Sequence, residues 1–166
     1  MTDPHPDGQA AVAVFDIDGV LADVRHRLHY LQSRPQRWDA FFLAAEQDPL
    51  LEEGARRLRT AQKRHDVVYL TGRPERNRGL TRAWLAHHGL PTGPLHMRPD
   101  DDRRPARWVK RNTLRRLARN RTIASVLDDD PAVVAVLTAD GWPVELAIWL
   151  PHSSTLQSAQ EQQGRT

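Results

Sequence analysis

Short apolar runs alternate with longer amphipathic stretches along most of the chain. Three of the apolar runs end in acidic residues or glycine, and a short apolar run bounded by such turn signals is typical of a buried strand. These predicted strands cover residues 11–17, 66–71 and 122–127, and weaker candidates lie at 94–97 and 144–148. The pattern therefore predicts about five strands.

The amphipathic stretches lie between the predicted strands. Their apolar residues recur at helical spacing, which predicts helices with one buried face. The predicted helices cover residues 50–64, 75–88, 104–119 and 131–139. Pro131 suits the first turn of the last helix, and we expect Asp130 to cap that helix. Alternating strands and helices predict an α/β fold, with a Rossmann-like parallel sheet covered on both faces.

The length of 166 residues indicates one domain. We predict that this domain covers residues 11–150. Both ends are polar, so we expect residues 1–10 to be a disordered N-terminus and residues 151–166 to be a flexible C-terminal tail.

An insert separates the first predicted strand from the first long helix. It covers about 30 residues, 20–49, which is below the ~40 residues at which a segment usually folds on its own. We therefore predict a small helical cap that leaves the edge of the sheet half open. Its aromatic residues could pack as a cap over that edge or join the core; they are Trp38, Phe41 and Phe42.

Composition excludes several kinds of site. The chain has no cysteine, which excludes a disulfide scaffold, a thiol nucleophile and a cysteine zinc site. No apolar run approaches the ~20 residues that cross a bilayer, and the N-terminus lacks a signal pattern. We expect a cytoplasmic protein with no membrane partner. The net charge of +3 permits an anionic partner, and only Lys63 and Lys110 are lysines among the 24 basic residues.

Polar residues follow the three clearest strands at their carboxyl ends. The three segments are Asp16-Ile17-Asp18-Gly19, Thr71-Gly72-Arg73 and Asp128-Asp129-Asp130. Ligands of open parallel sheets bind at this edge, so we expect the three segments to converge there. Crowded carboxylates repel one another unless a hard cation such as Mg²⁺ neutralises them. Thr71, Arg73 and Lys110 would supply the hydrogen bonds and positive charge that a phosphoryl group needs.

These residues resemble the four motifs of the haloacid dehalogenase-like (HAD) phosphohydrolases, in the same order. The matching residues are Asp16-x-Asp18-Gly19-Val20, Thr71, Lys110 and Asp128-Asp129. The resemblance covers roughly residues 11–150 and implies a HAD fold. A second aspartate in the first motif is similar to the phosphatase branch rather than to the dehalogenases.

The resemblance also implies a role for each residue. Asp16 would attack phosphorus and form an aspartyl phosphate, and Asp18 would protonate the leaving oxygen and then activate water. Thr71 and Lys110 would hold the phosphoryl oxygens. The implied cofactor is Mg²⁺, and its ligands would be Asp16, Asp128, the backbone carbonyl of Asp18 and, through water, Asp129.

A closer resemblance is to the 3'-phosphatase domain of polynucleotide kinase-phosphatases. It rests on Arg27, nine residues after Asp18, on Thr71-Gly72-Arg73, and on the run from Thr81 to Leu85. It implies a nucleic-acid 3'-phosphate as substrate, with Arg27, Gly72 and Arg73 in substrate binding. Arg25 is a rival for the role of Arg27. Two other functions stay open: a nucleotidase or small-metabolite phosphatase, and a catalytically silent nucleic-acid-binding module.

A basic stretch lies in the third long helix and its flanks. Residues 103–121 hold nine basic side chains and no acidic one. Such a cluster is the electrostatic footprint of nucleic-acid binding, but a solvated helix face would have the same composition. Both interpretations stay open at the level of sequence.

Overall fold

The computed structural model describes residues 10–166, and its five strands form one parallel sheet in the order β3-β2-β1-β4-β5. The strands are β1 (Val12–Phe15), β2 (Asp66–Pro74), β3 (Leu95–Arg98), β4 (Ile123–Asp128) and β5 (Val144–Leu146). The predicted five-stranded α/β fold is confirmed. The predicted disorder of residues 1–10 lies, except for Ala10, outside the described residues.

Seven α-helices connect or flank these strands in the described part of the chain. They are α1 (His29–Gln32), α2 (Trp38–Leu43), α3 (Glu52–Ala61), α4 (Arg78–His87), α5 (Ala106–Leu117), α6 (Pro131–Ala139) and α7 (Ser154–Gln157). The four predicted helices correspond to α3 to α6. Asp130 caps α6, since its Oδ1 accepts the Ala132 amide at 2.9 Å. Between Ala10 and Thr166, no helix is long and apolar enough to span a bilayer.

Strand β1 shows why the sheet is covered on both faces. All four of its residues are buried, and its side chains alternate between the two faces. Ala13 and Phe15 pack with Leu58 of α3 and Trp84 of α4. On the opposite face, the core contains six residues of β1, α5 and α6: Val12, Val14, Ala106, Leu114, Val133 and Leu137.

The strand order brings the three polar segments together. β1 lies in the centre of the sheet, between β2 and β4. Phe15, the last residue of β1, pairs with Tyr69 of β2 and with Leu127 of β4. The residues that follow these three positions therefore lie side by side at the carboxyl edge, where the strand order reverses.

The insert and the C-terminal segment form one cap at this edge. Helices α1 and α2 belong to the insert, and their apolar cluster includes Phe41 and Phe42 together with Leu156 and Ala159 of the C-terminal segment. The aromatic residues of the insert thus pack in a cap rather than in the main core. The expectation of a flexible tail at 151–166 is wrong, because α7 and a π-helical turn (Ser158–Gln162) bury apolar side chains against the insert.

Candidate active site

The loop after β1 brings two acidic segments into contact. Gly19 adopts φ +79°, a conformation that favours glycine. A side-chain carbon at Gly19 would lie 2.0 Å from Asp129 Oδ2. The glycine therefore lets the loop turn and leaves room for the Asp129 carboxylate. Any larger residue would strain the loop and displace the Asp129 side chain.

Three carboxylates meet at the edge: those of Asp16, Asp128 and Asp129. One oxygen from each lies within 4.8 Å of the other two. Lys110 reaches from α5 into this cluster, with its Nζ 3.0 Å from Asp16 Oδ2 and 2.6 Å from Asp128 Oδ2. Backbone amides hold the other oxygens of Asp16 and Asp128, since Ile17 donates to Asp16 Oδ1 at 2.8 Å and Asp130 to Asp128 Oδ1 at 3.0 Å.

The cluster carries an excess of negative charge. Burial raises the pKa of Asp16 to about 7, Asp128 adds to the shift, and Lys110 opposes it. Burial, together with Asp16 and Asp128, also holds the pKa of Asp129 well above its usual value. Burial favours the neutral amine of Lys110, but Asp128 and Asp16 keep the pKa of that amine above its ordinary range. Three carboxylates and one ammonium, when all are ionised, leave two negative charges uncompensated.

This donor set fits Mg²⁺. Hard oxygen ligands with excess negative charge are those that Mg²⁺ prefers. Asp129 Oδ1 is buried and has no hydrogen-bond partner in the described part of the chain. A buried carboxylate oxygen without a partner is costly, and a cation between the three carboxylates would satisfy it. Asp16, Asp128 and Asp129 are thus the side chains that would hold the ion.

Asp18 lies outside that cluster and is bound by two arginines. Its Oδ1 accepts Arg27 Nη2 at 2.9 Å, Arg73 Nε at 2.9 Å and Arg73 Nη2 at 2.5 Å. Burial would raise the pKa of Asp18, but Arg73 and Arg27 outweigh it and lower the pKa to about 2. Of the two candidate arginines after the first motif, Arg27 is at the site. Arg25 instead pairs with Asp23 near the surface.

Asp48 completes this network and was missed by the sequence analysis. Its carboxylate is fully buried and accepts Arg27 Nε and Nη2 at 2.8 Å and Arg73 Nη2 at 2.9 Å. Trp84 Nε1 donates to the Asp48 backbone carbonyl at 2.8 Å. The charges of Asp18 and Asp48 therefore balance those of Arg27 and Arg73. The available signal was charge balance, because two buried arginines need more than one carboxylate.

The remaining predicted residues lie beside this network. Thr71 is buried on β2, two residues past the partner of Phe15, and its Oγ1 accepts the Arg73 amide at 3.2 Å. The guanidinium carbon of Arg27 lies 4.3 Å from the centre of the Phe41 ring, so the cap contacts the network directly. Gly72 packs its Cα against Thr166, since a side-chain carbon there would lie 2.1 Å from the Thr166 carbonyl carbon.

The site is more enclosed than the half-open edge that was expected. Asp16 and Asp18 are each only 3% exposed. Arg27 of the insert and Thr166 of the C-terminal segment both reach Asp18. A cavity remains between the insert and the C-terminal segment beside the acidic cluster, lined by residues that include Gly19, Val24, Asp129, Leu156 and Gln160.

The basic stretch is largely neutralised within the fold. Six of its nine basic side chains form ion pairs with carboxylates: Arg104, Arg107, Lys110, Arg111, Arg115 and Arg121. Asp140 alone accepts from two of these arginines. This pairing leaves less charge for a phosphate backbone than the composition of the stretch indicated.

Solved structures with the same fold include several hydrolases. One chain of a Pnkp1/Rnl/Hen1 complex superposes with a TM-score of 0.71 at 24% identity, over 87% of this chain and 48% of that one. A haloacid dehalogenase-like hydrolase from Streptococcus pneumoniae gives 0.61 at 13% identity, over 92% and 91%. A HAD enzyme from Bacteroides thetaiotaomicron, solved with magnesium and inorganic phosphate, gives 0.51 at 10% identity, over 89% and 98%.

At these identities the superpositions establish the fold. This chain spans about half the length of the matched chain in the Pnkp1/Rnl/Hen1 complex. No match was found among the curated proteins. Residues 10–144 match a family described as the polynucleotide kinase PNKP phosphatase domain. That match covers most of the chain and includes every predicted site residue. The chain therefore belongs to this family of HAD phosphatase domains.

Proposed function

We propose that the protein is a Mg²⁺-dependent phosphomonoesterase that removes 3'-phosphates from nucleic-acid ends through an aspartyl phosphate on Asp16. The division of charge at the site carries this proposal. One half, around Asp16, carries two uncompensated negative charges when its carboxylates are ionised, and it suits a divalent cation. In the other half, Asp18 and Asp48 are balanced by two arginines. A phosphate ester between the two halves would meet a nucleophile on one side and a proton donor on the other.

The first chemical step is assigned to Asp16. Its Oδ2 attacks phosphorus, the bond from phosphorus to the ester oxygen breaks, and the leaving oxygen takes a proton from Asp18. When bound, Mg²⁺ would supply charge that allows a carboxylate to approach a phosphate. The positive charge of Lys110 would stabilise the phosphoryl oxygens in the same way. The proposal assigns to Thr71 the donation of its hydroxyl to the phosphoryl group.

The second step uses Asp18 as a base. Asp18 takes a proton from water, the water oxygen attacks phosphorus, and the bond to Asp16 breaks to release phosphate. In the free protein Asp18 is a carboxylate, because Arg73 and Arg27 outweigh the effect of burial on its pKa. The proton for the first step therefore arrives with the substrate: a phosphate monoanion transfers its proton to Asp18, and Asp18 passes that proton to the leaving oxygen.

The choice of substrate rests on the family and on two arginines. Arg27 and Arg73 are buried beside Asp18, and the proposal assigns them contact with a terminal phosphate as well as with the carboxylate. A nucleotidase or small-metabolite phosphatase is the second candidate. The enclosure of the site and the internal pairing of the basic stretch favour that alternative.

Phosphate release from matched substrates separates the two candidates. We expect a higher kcat/KM with Mg²⁺ for a 3'-phosphorylated oligonucleotide than for the 3'-mononucleotide or the 5'-phosphorylated oligonucleotide. The advantage should shrink as salt rises, because backbone contacts release counterions. A preference for the mononucleotide, or a ratio that does not change with salt, would favour the nucleotidase. Full activity after exhaustive chelation would contradict the metal requirement.

A further inference from the structure

The C-terminal segment places a hydroxyl beside the proposed proton donor. Asp18 uses Oδ1 for both arginines, which leaves Oδ2 as the oxygen that can carry a proton toward a substrate. Thr166 Oγ1 lies 3.5 Å from that Oδ2, and Thr166 is only 4% exposed. The threonine hydroxyl thus lies where the alcohol oxygen of a phosphate ester would need to be protonated.

The Thr166 backbone is held in the same place by the residues around Gly72. Arg98 is fully buried and donates Nε to the Gly72 carbonyl and Nη2 to the Thr166 carbonyl, both at 3.2 Å. Gly72 has no side chain, and the Thr166 backbone packs directly against its Cα. A predicted substrate-binding residue is therefore in contact with the chain's own C-terminal segment.

The segment before Thr166 is anchored at several points. Glu161 pairs with Arg107 on α5, and the guanidinium carbon of Arg165 lies 4.7 Å from the centre of the Trp38 ring in the cap. Gly164 adopts φ +59° and packs on the loop before α5. A side-chain carbon at Gly164 would lie 2.0 Å from the Arg103 carbonyl oxygen. Docking of the segment thus depends on a glycine at this position.

We propose that residues 158–166 form an autoinhibitory strap, in which Thr166 fills the leaving-group side of the active site and must withdraw before a phosphate ester binds. The inference rests on the proposed phosphatase function. The cavity beside Asp129 leaves the acidic half approachable, whereas the Asp18 half is covered. A strap of this kind acts as an intramolecular competitive inhibitor. It multiplies KM by one plus the ratio of docked to undocked molecules and leaves kcat unchanged.

Kinetics of a strap variant and a matched control test the proposal. Gly164→Ala combines a strained φ with a clash against Arg103. Gly89→Ala is the control, because Gly89 has φ +61° and nothing within 4 Å of an added side-chain carbon. With an aryl phosphate and Mg²⁺, Gly164→Ala should lower KM by about fivefold or more at constant kcat, and Gly89→Ala should not. Equal KM values for the two variants and the wild type would overturn the proposal.

A shortened chain gives a second test. A chain that stops after Gln162 keeps Leu156 and Ala159 packed in the cap and loses Thr166. Its KM should fall as in Gly164→Ala, and a synthetic peptide of residues 158–166 should inhibit it competitively. No inhibition by the peptide at any concentration, together with an unchanged KM, would contradict the strap while leaving the phosphatase proposal intact.

Hydrogen exchange reports on the strap without turnover. The amides of Gln163 and Arg165 donate to the carbonyls of Ser158 and Ala159 at 2.9 Å. Both bonds lie within the strap, and a single turn is unstable in water without tertiary packing, so these amides are protected only while the strap is docked. In Asp16→Asn, saturation with a 3'-phosphorylated oligonucleotide or an aryl phosphate should speed their exchange. Unchanged protection in a saturated complex would overturn the strap. Absence of hydrolysis by the wild type would instead overturn the proposed function.

Discussion

Replacing Asp48 with asparagine should destabilise the fold much more than the same substitution at Asp23. Asp48 has no exposed side-chain surface and accepts from two buried arginines, Arg27 and Arg73. An asparagine keeps the shape but removes the charge. It also turns one acceptor into an amide donor that would face arginine N–H groups. The two arginines would then share one carboxylate, that of Asp18.

The magnitude follows from burial. Removing one partner of a buried ion pair leaves an uncompensated charge and costs about 3–5 kcal/mol. Asp23 also pairs with an arginine, at 2.6 Å, but Arg25 has 59% of its side chain exposed. Exposed pairs contribute about 0–1 kcal/mol. The free energy of unfolding should therefore fall by about 3–5 kcal/mol for Asp48→Asn, and by no more than about 1 kcal/mol for Asp23→Asn.

Denaturant unfolding followed by circular dichroism measures both variants under the same conditions. A domain with a typical stability of about 5–15 kcal/mol would lose a large share of it through Asp48→Asn, so the midpoint should shift clearly. Similar losses for Asp48→Asn and Asp23→Asn would refute the reasoning. That result would mean that the two arginines are held without the Asp48 charge.

Three further predictions concern the ion cluster and Asp18. Lys110→Ala should lower kcat about 10²-fold or more, whereas Lys63→Ala, which changes an exposed residue, should leave kcat near wild type. Equal effects of the two substitutions on kcat would contradict the role of Lys110. Without divalent ions, the free energy of unfolding should fall as pH rises from about 4 to 7, because the folded state keeps the Asp16 proton up to a pKa of about 7. Mg²⁺ should reverse this loss at pH 7. Unfolding midpoints with and without Mg²⁺ check both statements, and a midpoint that rises with pH in chelator would contradict them. For alkyl phosphates, kcat/KM should fall above pH ~6, where the phosphate monoanion is lost, and for an aryl phosphate with a good leaving group it should fall less. The same pH dependence of kcat/KM for both substrates would refute proton delivery through Asp18.

The sequence predicted the parts of the site that depend on local pattern. Apolar runs that end in Asp16, Thr71 and Asp128 are local signals, and parallel strand order alone brings their ends to one edge. Asp130 as the cap of α6 follows in the same way from its position before Pro131. Each of these predictions needed only a strand end or a helix start and one rule of topology.

Long-range partners could not be predicted in this way. Asp48 has no local signal, and its role depends on a loop that returns to two arginines from different elements. The C-terminal segment is polar in sequence, and its order comes from packing Leu156 and Ala159 on a cap that is itself too small to fold alone. The enclosure of the site follows from that tertiary contact.

Detection of a phosphoryl group on Asp16 tests the central claim most directly. Asp18→Asn should still be phosphorylated by an aryl phosphate with Mg²⁺, because a good leaving group needs no proton donor, but hydrolysis of the phosphoenzyme should be slow. Mass spectrometry of the quenched protein should then show one added phosphoryl group, mapped to Asp16 and absent from Asp16→Asn. Phosphate release by Asp16→Asn at a rate near wild type, or a phosphoryl group on another residue, would contradict the mechanism.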